Sequence, residues 1–178
     1  MDTILTTLII GISLSMDTFS LSIIYGTKGI TKKTKILLSL IVGTYHFIMP
    51  LIGLYFGTII EKYIIINLNI LVSIIFLIIS IQMIVSTFKD NEELKPLNLQ
   101  GLLLFGFSVS IDSFSTGIGL HVINTNYIQS ALIFALTSMT FTYLGLNFGN
   151  QLNIHFGKYS TLIGGIILLI LSIYYFIK

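Results

Sequence analysis

The chain has 178 residues, 54% of them hydrophobic and only 9% charged, whereas soluble domains carry about 25% charged residues. Its nine basic residues are all lysines and it has no cysteine, which removes arginine clamps for phosphate, disulfides and thiolate chemistry. This composition excludes a soluble enzyme, a nucleic-acid-binding protein and a disordered chain.

A bilayer-crossing helix needs about 20 predominantly apolar residues. In chain order such runs fall at 3–25, 36–59, 64–88, 99–122, 127–148 and 160–177, and they use nearly the whole chain. The first run lacks a basic leader and carries Asp17 near its middle, so it reads as a retained helix rather than a cleaved signal. Residues 26–35 read GTKGITKKTK and 89–98 read KDNEELKPLN. Loops one, three and five hold Lys28, Lys32, Lys33, Lys35, Lys89, Lys95 and Lys158, against Lys62 and Lys178 on the other side. Lysine enrichment marks the cytoplasmic side, which predicts both termini outside. The expected molecule is a single all-α, multi-pass domain over 1–178 in the cytoplasmic membrane, with the lipid bilayer as its solvent.

The chain also repeats itself. GISLSMDTFSLSII at 11–24 and GFSVSIDSFSTGIG at 106–119 share seven of fourteen residues at an offset of 95. GLYFG at 53–57 matches GLNFG at 145–149 at an offset of 92, and IIFLIISI at 74–81 faces IILLILSI at 166–173 at the same offset. Repeat one then covers 1–88, a cytoplasmic linker 89–98, and repeat two 99–178. Three spans per copy send the second copy into the membrane from the opposite side. This predicts two inverted three-helix repeats, an architecture that places a substrate site between the halves near the midplane.

Polar groups occur at that depth. Asp17 and Asp112 sit near the middle of spans one and four, where a carboxylate costs about 2.5–3.5 kcal/mol on insertion scales. No lysine lies within a span core, which leaves hydroxyls, water, a proton or a cation as compensation. Ser13, Asp17 and Ser20 share one helix face, as do Ser108, Asp112 and Ser115. Ser15, Ser22, Ser110 and Gly117 form opposite, small-residue faces suited to close packing. The plainer alternative is a pair of neutral aspartic acids hydrogen-bonded to serines. His46 is the third polar group, in the run YHFIMPLIG, and Pro50 four residues later has no N–H for its carbonyl. Two carboxylates, hydroxyls and an optional imidazole make a hard, oxygen-rich site suited to Mg, Ca or Mn.

SMDTFSLSI and SVSIDSFSTGIGL in spans one and four, with YHFIMPLIG in span two, resemble the bacterial manganese efflux pump family. IQMIVSTFK and FGKYSTLIGGIILLI are similar to its third and sixth spans, so the resemblance covers nearly all of the chain. It implies a six-span inner-membrane exporter within the lysine-exporter superfamily, with Mn²⁺ as transported substrate and no resident cofactor. The family's acidic positions fall on Asp17 and Asp112, and its polar second-span position on His46. Many members carry a Glu at the end of span three, where this chain has Ser86. The rival readings are an exporter of another divalent metal or of basic amino acids, and a non-transporting membrane protein of the related sporulation group. No nucleotide-binding loop of the form GxxxxGK[ST] is present, so export would draw on an ion gradient or the membrane potential.

Overall fold

A computed structural model of the protein describes residues 3–27, 29–63, 68–88, 98–123, 126–149 and 154–177. They form seven helices: α1 (Thr3–Gly26), α2 (Lys32–Tyr63), α3 (Leu68–Ser86), α4 (Leu99–Val109), α5 (Ile111–Ile123), α6 (Tyr127–Phe148) and α7 (Ile154–Ile177). Six segments are long and apolar enough to cross a membrane, with α4 and α5 together making one crossing. The fold is therefore all-α with six spans. Most of the linker expected at 89–98 lies outside the described residues, as do Lys28, Lys89, Lys95 and Lys178.

One element departs from expectation. The sequence predicts one continuous helix over 99–122, but α4 stops at Val109 and α5 restarts at Ile111. At the break, Ser110 has φ −107° and ψ 2°, and its N–H turns back to the Phe107 carbonyl at 3.3 Å. The β-branched Val109 and Ile111 flank it, and such side chains lose χ1 freedom against the preceding helical turn.

Helix starts follow local chemistry. The Asn98 Oδ1 accepts the Gly101 N–H at 2.8 Å and the Asn126 Oδ1 that of Gln129 at 3.2 Å, satisfying donors that a helix N-terminus otherwise leaves open. Gly29, at φ +64°, supplies the left-handed residue in the tight connection from α1 to α2. α2 continues through Pro50.

The helices pair mainly across the halves. α1 packs on α6 and α7, α2 on α5 and α6, and α3 on α7. Small residues set these approaches, as expected where lipid tails remove any hydrophobic drive between helices. A Cβ on Gly145 would lie 2.7 Å from the Phe19 carbonyl oxygen, and one on Gly149 would collide with that of Ile23. A Cβ on Gly53 would collide with the Phe114 carbonyl, and one on Gly57 with that of Ile118. Outward, large apolar side chains such as Leu5, Ile78, Ile81 and Ile170 are exposed, whereas Ser15, Ser80, Ser138 and Thr142 are fully buried. That inversion suits a hydrocarbon solvent.

Candidate functional site

Asp17 lies inside the unbroken α1, and Asp112 in the first turn of α5, just past the break. Both are half-buried. They line one cavity of about 270 Å³, together with Gln82, Met83 and Ser86 of α3 and with Ser108 and Val109 at the end of α4. The Asp112 Oδ1 accepts the Ser113 N–H at 2.7 Å, so the carboxylate caps the start of its own helix. A helix N-terminus carries partial positive charge and a C-terminus partial negative charge. The break thus holds Asp112 at the partly positive start of α5, beside Ser108 and Val109 at the end of α4.

The flanking hydroxyls divide. Ser108 lines the cavity while its Oγ donates to the Leu104 carbonyl at 2.7 Å. Ser13 is fully buried with its Oγ donating to Ile9 O at 2.8 Å, and the Ser115 Oγ reaches Ile111 O at 3.4 Å. Ser20 is buried, and neither it, Ser13 nor Ser115 is among the residues lining the cavity.

His46 stands elsewhere. It is fully buried, its Nδ1 lies 3.0 Å from the Val42 carbonyl, and its Nε2 has no partner among the described residues. α2 meets α5 through Pro50, whose carbonyl a Cβ on Gly117 would strike. Gly117 is five residues past Asp112, about 140° around a helix of 3.6 residues per turn. α2 and α3 therefore address different faces of α5, and His46 is not among the residues lining the carboxylate cavity. Among the described residues no group of three His, Asp or Glu side chains is gathered tightly enough to hold a metal ion.

Sequence reasoning missed Gln82, which brings an amide oxygen to the cavity from α3. The signal was a lone amide in the run IIFLIISIQMIV, where Ser80 is the one other polar residue. Ser86, noted only as a departure from the family pattern, also lines the cavity, and its Oγ donates to the Met83 carbonyl at 2.7 Å.

The model of the family described as "Putative manganese efflux pump" matches residues 29–176. The chain belongs to the manganese efflux pump family. Proteins named "Putative manganese efflux pump MntP" resemble it over most of its length. That of Bacillus pumilus is 33% identical over 96% of this chain and 93% of its own. That of Bacillus licheniformis is 34% identical over 93% and 90%, and that of Halalkalibacterium halodurans 32% over 90% of each. No solved structure matches significantly. Membership of the manganese efflux pump family makes this a membrane transport protein and not an enzyme.

Proposed function

We propose that this chain exports Mn²⁺ from the cytoplasm as a secondary active transporter, with Asp17 and Asp112 as the charged cargo ligands. The observation that carries this reading is the meeting of the two motif carboxylates, 95 residues apart in sequence, in one cavity of a manganese efflux family member. Two carboxylates neutralise a divalent cation, and serine, amide and backbone oxygens suit a hard one. No aromatic side chain lines the cavity among the described residues, which counts against an organic ammonium as cargo. His46, fully buried and outside the cavity lining, is not assigned as a cargo ligand. Protons compete with a metal for carboxylate oxygens, so protonation empties the site, and acidifying the side on which the cavity opens slows loading.

The halves act as inverted repeats, with loops one, three and five in the cytoplasm and both termini outside. Matched contacts support this. Gly53 on Phe114 and Gly145 on Phe19 exchange under the 92- and 95-residue offsets, and so do Gly57 on Ile118 and Gly149 on Ile23. The Lys35 Nζ donates to Asn147 Oδ1 at 3.2 Å, which sets the start of α2 beside the end of α6 on one face.

Mn²⁺ flux into proteoliposomes bearing an imposed pH gradient tests the proposal. The parental chain moves Mn²⁺, while Asp17→Asn and Asp112→Asn do not although both remain in the membrane. Parental flux in both Asn variants sinks the site assignment.

A further inference from the structure

The matched contacts are not equal everywhere. The pairs α1–α6 and α2–α5 approach through equivalent glycines, as described above, and the pair α3–α7 is also balanced within itself. The Ser73 and Ser172 hydroxyls lie 3.3 Å apart, and the equivalent positions, Gly165 and Ser80, meet with a Cβ on Gly165 3.3 Å from Ser80 O. The imbalance lies between α3–α7 and the rest. Gly164 of α7 packs on α1, where its Cβ would lie 2.6 Å from Ser13 O and 2.9 Å from the Met16 Cβ. The Ser160 Oγ lies 2.9 Å from the Met16 Sδ, one turn further on.

The repeat offsets pair Gly164 with Val72 and Ser13 with Ser108. Equal packing would therefore set Val72 against Ser108. Instead Val72 meets Gly119, with a Cβ there 2.9 Å from the Val72 Cγ2. That is a register difference of eleven residues, about 16 Å of helix rise. The carboxylate cavity lies on the loosened side: α7 packs extensively along α1, whereas α3 touches α5 much less. The cavity is bounded there by the C-terminal part of α3.

A molecule whose halves are equivalent has no reason to prefer one such imbalance over its mirror. We propose that Tyr174 and Tyr175 form the second opening of the carboxylate site, reached when α3 and α7 slide as one unit along the core of α1, α2, α5 and α6. The 92-residue offset sets Tyr174 in the place of Gln82 and Tyr175 in that of Met83. The cargo then meets an amide on one side of the membrane and phenol groups on the other, while Asp17 and Asp112 stay on the core. Tyr175 is now shut in: it is buried in the cluster that also holds Ile10 and Leu14 of α1. Opening separates Tyr175 from the core helices and carries Gly164 away from Ser13. This inference rests on the transport reading above.

The chain's lack of cysteine makes the test clean. Gln82→Cys and Tyr175→Cys are labelled separately in sealed vesicles with a membrane-impermeant maleimide, added to either side, with and without Mn²⁺. Gln82→Cys is expected to react from the side on which α3 ends. Tyr175→Cys is expected to react from the opposite side, with Mn²⁺ shifting the two rates in opposite directions. In a second arm, Met16→Cys with Ser160→Cys is joined by a short bis-methanethiosulfonate, which forms a disulfide with each thiol as methanesulfinate leaves; Mn²⁺ flux falls at least tenfold and returns on reduction. The inference is overturned if Tyr175→Cys stays unlabelled while Mn²⁺ flux continues, or if flux persists across the joined pair. Absent flux in the unmodified chain would instead count against the transport reading, because the sidedness of labelling is scored without flux.

Discussion

The two copies of the acidic motif have nearly the same letters and different backbones. In α1 the helix runs straight through Asp17, and the Ser15 Oγ donates four residues back to Gly11 O at 2.6 Å while meeting the Ser138 Oγ at 3.1 Å. In the second copy the equivalent Ser110 donates three residues back to Phe107 O at 3.0 Å, and the helix is interrupted there. Leu14 and Met16 flank the first serine, Val109 and Ile111 the second. Straight-chain residues lose little freedom in a helix and β-branched ones more. A duplicated motif can therefore keep its chemistry while one copy opens a helix end toward the site.

Each way of breaking that comparison has an expected size. Removing either charge has the largest effect: Asp17→Asn and Asp112→Asn each lower Mn²⁺ flux by at least about a hundredfold, the scale of a lost buried charge interaction of roughly 3 kcal/mol. Unequal losses would show that the two copies are not partners in one site. Next come the glycines of the matched approaches. Gly145→Ala and Gly53→Ala each destabilise the protein by about 1–3 kcal/mol through overpacking, read as thermal unfolding in detergent. Val109→Leu with Ile111→Met gives the second copy the flanks of the first. It is expected to favour a continuous helix by a few tenths of a kcal/mol per residue and to slow Mn²⁺ flux a few-fold without unfolding the chain. Unchanged flux would mean the break has no part in transport. The smallest effect is His46→Ala, about threefold or less in flux, under 1 kcal/mol, whereas Gln82→Ala costs about tenfold. A reversed order would return the imidazole to the cargo site.

The six spans were legible because about 20 apolar residues per crossing leave few other readings, and α6 begins and ends where the sequence predicts, at 127 and 148. The break at Ser110 was not, because a hydropathy window of that length averages over a single residue. Its local signal was the Val109 and Ile111 pair. Within the site, the carboxylates stood out by their cost in lipid and by repetition. Depth alone says nothing of the face a side chain takes, and His46, at a depth suited to a ligand, is turned into a helix interface. Gln82 is neutral and unrepeated, so its one signal, a lone amide in a hydrophobic run, was weaker than the repeated carboxylates.

The pairing of helices across the halves has a consequence for biosynthesis. α1 finds its main partner in α6, and α2 in α5 and α6, so the first three spans enter the membrane before the surfaces they pack against exist. At about 5–20 residues per second of synthesis, α1 waits several seconds or more in lipid before α6 emerges. Two of its hydroxyls are satisfied at home during the wait: Ser13 and Ser15 donate to carbonyls four residues back in their own helix. The second half arrives with the same provision in Thr137, Thr140 and Thr142. Within each half the helices pack little on one another. Two separately expressed halves would thus have to find each other in the bilayer before either one acquires a tertiary structure.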